Sequence, residues 1–222
     1  MASPLFVDML ALALCAVAFA GYQLVLVSRC RREPQYSVQQ LISAARVAWV
    51  ETVMRERRDI LAVQTLRNSI MAASFLASTA ILLIVGVLTL SAQSDKLSGA
   101  WHALNVVDAV DGQLWLIKLL FMLLDLLVAF FSFSMAIRLF HHVGYWLNVP
   151  QDNGTYSGPA YVAAQLNRAG RFYSIGTRAY YLLVPLLFWL FGPHFLTVAT
   201  LVLLWVLWHL DRAPRAPADL AG

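Results

Sequence analysis

Two ionisable residues stand inside one long apolar stretch of the sequence, where charge is costly. Asp125 lies seven residues after Lys118 and seven before Ser132, so the three side chains share one face of a helix. A neighbouring apolar stretch carries Ser78 and Thr79 at a similar depth. This combination of a carboxylate and hydroxyls predicts an intramembrane site for a cation or a proton. A protonated Asp125 that only hydrogen-bonds helices together is the alternative.

A second set of polar residues lies near one depth, where the apolar stretches begin or end. Its members are Arg67, Asn68, Arg138, His141, His142, Asn148, Asn167, Arg171, Arg178, Tyr180, His209 and Asp211. Converging guanidinium groups can bind phosphate through paired hydrogen bonds. The candidate anion or lipid-headgroup site comprises Arg67, Asn68, Arg138, His142, Arg171 and Arg178. The alternative is that most of these arginines only orient the helices or extend toward the membrane surface, paired with Asp211 and backbone carbonyls.

The composition shows what must position these groups. Of 222 residues, 60% are hydrophobic and only 13% are charged, which is more apolar surface than one soluble core of this size can bury. The net charge of +4 comes without a basic stripe interleaved with aromatic residues, so nucleic acid is not an expected partner. We predict an all-α fold, a polytopic membrane helical bundle, with residues 1–222 forming a single integral membrane domain.

The apolar stretches predict about five transmembrane helices, since about 20 apolar residues span a bilayer. They are Pro4–Ser28, Asn68–Leu90, Gln113–Ala136, Ala179–Phe191 and His194–Leu210. The dipeptide Gly192-Pro193 is a turn signal that separates the last two. Four spans plus a kinked or re-entrant carboxyl-terminal segment is the alternative, because the last stretches are short.

Spans two, three and four are expected to continue as cytosolic helices, over about residues 37–66 and 138–176. Ser37 is a residue type favoured at a helix N-cap, and Pro159 is a type favoured in a first helical turn. No proline or glycine lies between Ser37 and the second span, so one uninterrupted helix is expected to enter the bilayer at Arg67. Residues 213–222 are expected to be a disordered tail.

Arginine distribution predicts the orientation, because lysine and arginine mark the cytoplasmic side. The segment 29–67 holds eight arginines, the segment 138–178 holds four and the tail holds two, whereas the connection 91–112 holds one lysine and three acids. An amino terminus outside and a carboxyl terminus inside satisfy this rule at every connection. The expected location is the inner, or plasma, membrane of the cell.

Three segments also carry a family resemblance. They are 63–80 (VQTLRNSIMAASFLASTA), 138–144 (RLFHHVG) and 176–181 (GTRAYY). The chain resembles, over nearly its whole length, the membrane proteins catalogued as domain of unknown function 599. The resemblance implies a multi-spanning membrane protein, and it supplies no activity and no catalytic residues.

The leading functional interpretation is a homo-oligomeric pore or small transporter for ions or small solutes, because five spans are few for a self-contained transporter. One alternative is a membrane scaffold or accessory subunit that binds a partner protein through its cytosolic helices. A further alternative is a lipid-headgroup enzyme that uses His141, His142 and the arginines. The expected partners are the lipid bilayer, anionic lipid headgroups and further copies of the chain.

Enzymatic function is the less favoured interpretation, because the sequence carries no familiar nucleophile, nucleotide-binding or metalloprotease motif. No cofactor and no metal site are predicted. His141 and His142 are adjacent, so a helix directs their side chains about 100° apart.

Overall fold

The computed structural model describes residues 4–33, 36–92, 112–149 and 158–213. Within these ranges the chain forms six α-helices, an isolated bridge between Ser37 and Arg212, and no β-strand. The helices are α1 (Pro4–Arg32), α2 (Val38–Glu56), α3 (Asp59–Ala92), α4 (Gly112–Leu147), α5 (Pro159–Trp189) and α6 (Pro193–Leu210). The prediction of an all-α fold is confirmed for this part of the chain.

Three predicted connections fall largely outside the described residues. They are the acidic connection 91–112, the turn 150–154 and the carboxyl-terminal tail 213–222.

Four helices, α1, α3, α4 and α6, are long and apolar enough to cross a membrane. The 34 residues of α3 correspond to about 50 Å of helix, whereas a bilayer core is about 30 Å thick. Its length agrees with the expected extension of this helix beyond the membrane. α5, by contrast, does not meet the same criterion, and it carries Arg168, Arg171 and Arg178. A helical membrane bundle is therefore supported, but a count of five spans is not confirmed.

The centre of the bundle consists of α3, α4 and α5. Leu66 of α3 shares a buried cluster with Val143 of α4, and Val87 shares another with Leu119, so these two helices are antiparallel. On α5, Leu166 and Leu183 belong to the same two clusters, in the same order as the residues of α3. α4 therefore packs antiparallel to both neighbours.

Small residues allow the central helices to approach closely. Ala73, Ala77 and Ala80 of α3 are buried, and Ala77 packs in one cluster with Phe133 of α4. Gly176 of α5 faces the same Phe133, and a Cβ atom there would come within 2.8 Å of the ring. These small residues therefore have a packing role, as small faces generally do in membrane bundles.

α1 and α6 lie side by side and run in the same direction. Ala11 shares a buried cluster with Leu196, and further along the ring of Tyr22 packs against that of Trp208. The end of the bundle at which α1 and α6 finish is called the arginine end here, because Arg29, Arg31 and Arg32 lie there.

α2 begins with the predicted cap. The Ser37 hydroxyl accepts the Gln40 backbone N–H, and the Gln40 side chain accepts the Ser37 N–H, which completes a capping box. The Gln40 amide also donates to the Cys30 carbonyl at 2.7 Å, which joins α2 to the end of α1. The buried side chains Val50, Val53 and Met54 then pack α2 against α5.

The prediction of one uninterrupted helix from Ser37 into the bilayer is wrong. α2 ends at Glu56, and Arg57 adopts a left-handed conformation with φ 48° before α3 begins at Asp59. The Arg57 and Arg58 N–H groups bond to the Val53 carbonyl, which closes the helix end in the absence of a glycine. Packing of α2 onto α5 requires this change of direction.

Candidate functional site: the arginine cleft

Lys118, predicted as part of an intramembrane polar site, is buried and pairs with a residue outside that predicted site. Its Nζ lies 3.1 Å from Oδ1 of Asp8 and donates to the Trp189 carbonyl at 3.0 Å. The Trp189 indole N–H donates to the same carboxylate at 2.6 Å. The resulting buried triad joins α1, α4 and the end of α5 at the end of the bundle opposite the arginine end. Sequence reasoning did not assign Asp8 to any site.

The other predicted intramembrane residues are not joined by hydrogen bonds. Asp125 Oδ2 is buried and has no hydrogen-bond partner among the described residues. Ser132 is buried on the same helix, whereas Ser78 of α3 is exposed. The Thr79 hydroxyl donates within its own helix, to the Phe75 carbonyl.

Only part of the predicted anion site comes together. Arg67, Asn68 and Arg138 are exposed on α3 and α4, and the ring of His142 packs against Trp146. Arg171 and Arg178, in contrast, line a cavity of about 480 Å³ between α1, α2 and α5 at the arginine end. This cavity is called the arginine cleft below.

Each wall of the arginine cleft is one face of a helix, because its residues repeat at intervals of three or four. α5 contributes Asn167, Arg171, Ser174 and Arg178; α2 contributes Gln39, Ser43 and Arg46; α1 contributes Gln23, Leu26, Val27, Cys30 and Arg31. Leu26, Val27 and Ile175 form its apolar part. The cleft thus combines four guanidinium groups with a hydrocarbon wall.

Arg178 is already neutralised. Its Nη2 lies 3.0 and 3.1 Å from the two carboxylate oxygens of Asp211, and its Nη1 donates to the Gln23 side chain at 2.5 Å. The Tyr22 hydroxyl donates to the same carboxylate at 2.7 Å. Arg178 therefore serves to join α5 to α1 and to the end of α6.

Arg46, unlike Arg178, has no acidic partner among the described residues. It is half-buried, and its guanidinium lies against Gly170 of α5, with Nη1 2.0 Å from the position that a Cβ atom would take. Burial lowers the pKa of Arg46, since no acidic group opposes the loss of solvation. Neighbouring Asn167 donates to the Ser43 carbonyl at 3.2 Å and helps to hold α2 on α5.

Arg31 and Arg171 likewise make no ion pair or hydrogen bond with the residues that the structure describes. Both are exposed at the rim of the cleft. Arg31, Arg46 and Arg171 therefore carry three formal positive charges from three different helices, without acidic partners in the described chain.

Sequence reasoning missed Arg31 and Arg46 as members of this site. A signal for Arg46 was present, because it falls on the same helical face as Val50 and Val53, which pack inward. An arginine on a packing face needs either a partner or a cavity. Its position against Gly170, however, depends on the contact between α2 and α5.

No three His, Cys, Asp or Glu side chains in the described ranges are grouped so that they could hold a metal ion.

Comparison with known proteins identifies the family of the chain but no close relative of known activity. No curated protein and no solved structure matches it. A family profile matches residues 10–216, which is nearly the whole chain, and the description of that family is "Protein of unknown function, DUF599". This match confirms the resemblance noted from the three sequence segments. The chain therefore belongs to the DUF599 family.

Proposed function

We propose that this protein binds a phosphate-bearing lipid in the arginine cleft, at the cytoplasmic surface of the membrane. The observation that carries the proposal is the convergence of Arg31, Arg46 and Arg171 on one cavity without acidic partners in the described chain. Guanidinium groups form strong paired hydrogen bonds with phosphate oxygens, and a half-buried one such as Arg46 gains most from a counterion.

The apolar wall favours a lipid over a soluble anion. Leu26, Val27 and Ile175 line the same cavity as the arginines, and α1, which supplies the first two, is a candidate span. A headgroup at the arginines would leave its acyl chains along this hydrocarbon surface. The cavity volume of about 480 Å³ lies within the range of small-molecule sites.

Binding is favoured over lipid-headgroup chemistry. Among the described residues, the lining offers guanidinium, amide and hydroxyl donors and the thiol of Cys30, without a carboxylate or imidazole to act as a general base. His141, proposed from the sequence as a catalytic group, is exposed on α4, and its Nδ1 bonds with the Ile137 carbonyl.

Lipid binding to the purified protein tests the proposal. Replacing Arg46→Gln or Arg171→Gln should weaken binding of an anionic phospholipid about tenfold or more, because a charged hydrogen bond contributes about 1.5–3 kcal/mol. Arg168→Gln is the matched control, since Arg168 lies on α5 with Arg171, is exposed and does not line the cleft. Native mass spectrometry of the three variants would measure the bound lipid. Equal loss in all three would contradict a specific cleft site.

The orientation belongs to the same proposal. Placing the arginine end in the cytoplasm puts the amino terminus of α1 outside and the end of α6 inside, as the arginine distribution predicts. The arginine cleft would then face the inner leaflet of the plasma membrane. Anionic lipids of that leaflet attract basic protein surfaces.

A pore or transporter is a second candidate, supported by Oδ2 of Asp125, which is buried and has no hydrogen-bond partner in the described ranges. The outward face of α4 is apolar, with Leu116, Leu120, Leu124 and Val128 exposed, so a polar path would run within one subunit rather than along a homo-oligomeric axis lined by α4. If such a path exists, Asp125→Asn should abolish cation or proton flux in liposomes, with Glu51→Gln as a surface control. Unchanged flux in Asp125→Asn would remove Asp125 from the mechanism.

A scaffold function has less support. The predicted apolar face of the cytosolic helix would be the docking surface, but Val50, Val53 and Met54 pack against α5 within the subunit. Leu41 and Ile42 remain exposed on α2.

A further inference from the structure

We infer that the arginine cleft selects lipids that end in an unsubstituted phosphate over the phosphodiester lipids of the bulk membrane. This inference rests on the proposed function of the cleft as a lipid-headgroup site. The inference rests on three observations. Three guanidinium groups of the cleft have no acidic partner in the described chain, they come from three helices, and one of them, Arg46, is held against Gly170.

The charge of the cleft matches a dianion better than a monoanion. Arg178 is excluded from the count, because its Nη2 already bonds both carboxylate oxygens of Asp211. Arg31, Arg46 and Arg171 remain, with a formal charge of +3. A phosphate monoester carries a charge of about −1.5 to −2 and three terminal oxygens, whereas a diester carries one charge on two such oxygens. Only the monoester can offer a separate oxygen to each of the three helices.

Arg46 distinguishes the two ligand classes most strongly. Its guanidinium is half-buried and is seated on Gly170, so it has lost much of its water without gaining an acidic partner in the described chain. Burial lowers the pKa of this group, because loss of solvation disfavours its charged form. A second ligand charge would therefore stabilise the complex here more than at the exposed Arg31 and Arg171.

Gly170 acquires a positioning role in this arrangement. A Cβ atom at residue 170 would lie 2.0 to 2.7 Å from three guanidinium atoms of Arg46, so Gly170→Ala must displace this group. The displaced group is the flexible end of a side chain, so the helix contact itself can persist. Gly170→Ala thus retains every charge of the cleft while moving one of them.

The test compares phosphatidic acid with phosphatidylglycerol, as monoester and diester probes, on the purified full-length protein. At pH 7.5 we expect the wild-type protein to bind phosphatidic acid about tenfold more tightly, which corresponds to one additional charged hydrogen bond. At pH 5 this preference should shrink, because the monoester loses its second charge with a pKa of about 6. Gly170→Ala and Arg46→Gln should each remove most of the preference, whereas Arg168→Gln should retain it.

The same measurements control for titration of the protein. The charged and titratable groups around the cleft are Cys30, Arg31, Arg46, Arg171, Arg178, Tyr22 and Asp211. Titration of these protein groups affects the binding of phosphatidylglycerol as well as that of phosphatidic acid. A change in the ratio of the two affinities between pH 7.5 and pH 5 therefore reports on the phosphate of phosphatidic acid.

The outcomes separate this inference from the proposed function. Equal affinities for both lipids, with Arg46→Gln weakening both, would overturn the preference and leave the lipid site intact. Binding of both lipids that is insensitive to Arg46→Gln and Arg171→Gln would overturn the proposed function itself. Inorganic phosphate that competes as well as phosphatidic acid would overturn the lipid as the ligand, whereas weak competition by phosphate would support it.

Discussion

Lys118 and Asp8 illustrate how a membrane charge finds its partner at the scale of single residues. Each of them is an isolated charge in an apolar stretch, and sequence spacing related Lys118 only to residues on its own helix. The structure pairs it with Asp8 across the interface between α1 and α4, and Trp189 completes the hydrogen bonds of both groups. A buried pair of this kind is strongly coupled, because removal of one partner leaves the other charge uncompensated.

A pair of variants tests this coupling. Lys118→Met should lower the free energy of unfolding by about 3–5 kcal/mol, because Asp8 would be left as an unpaired buried acid. The double variant Asp8→Leu with Lys118→Met removes both charges and should lose less stability than Lys118→Met alone. Equilibrium unfolding in mixed detergent micelles measures the difference. A double variant that loses as much stability as Lys118→Met, or more, would contradict a direct ion pair.

At the scale of helices, glycine positions report how closely α4 and α5 pack. Gly176 faces the Phe133 ring, whereas a Cβ atom placed at Gly86 of α3 would meet no atom of another described helix within 4 Å. Both residues lie within long helices, where alanine has the higher helix propensity. Only the packing environment distinguishes them.

Substitution by alanine should therefore have opposite effects at the two glycines. Gly176→Ala should destabilise the protein by about 1–3 kcal/mol, since the Phe133 ring must move away from a tightly packed interface. Gly86→Ala should leave stability unchanged or raise it by up to about 1 kcal/mol. Thermal unfolding of both variants in the same detergent makes the comparison. Similar shifts for the two would show that propensity, rather than the contact with Phe133, decides the outcome.

At the scale of the whole molecule, α5 combines a charged part with a part that packs inside the bundle. Arg168, Arg171 and Arg178 lie in the first two thirds of α5, yet the remaining third packs on α3 and α4, with Leu183 buried beside Leu119. The opposite face of this part of α5 exposes Val184, Leu187 and Phe188, an apolar surface suited to contact with lipid. We therefore expect α5 to cross the membrane as a fifth span, although its composition alone does not meet the criterion for one.

Site-directed labelling tests whether α5 crosses the membrane. In a background without Cys15 and Cys30, His194→Cys after α5 should react with a membrane-impermeant maleimide from outside intact cells. Arg168→Cys in the first half of α5 should react only after permeabilisation. Both positions are exposed in the structure, so access to the reagent depends on the side of the membrane. Labelling of both from the same side would exclude a crossing by α5.

Local features were predictable from the sequence, because they depend on residues within one or two helical turns. The Ser37 cap, the start of α5 at Pro159 and the break at Gly192-Pro193 are all found where their residue types indicate. The break at Arg57 was not predictable in this way. No glycine or proline marks it, and α2 changes direction there because its buried face packs on α5.

The sequence by itself determined that this is an all-helical protein with several long apolar helices, and it placed the arginines at the ends of those helices. Only the tertiary structure decided which polar side chains meet. Asp8 with Lys118, Arg178 with Asp211, and Arg46 with Gly170 each join residues far apart in the chain. Helix packing determines such pairs, so the arginine cleft combines two predicted arginines with two that spacing along one helix did not reveal.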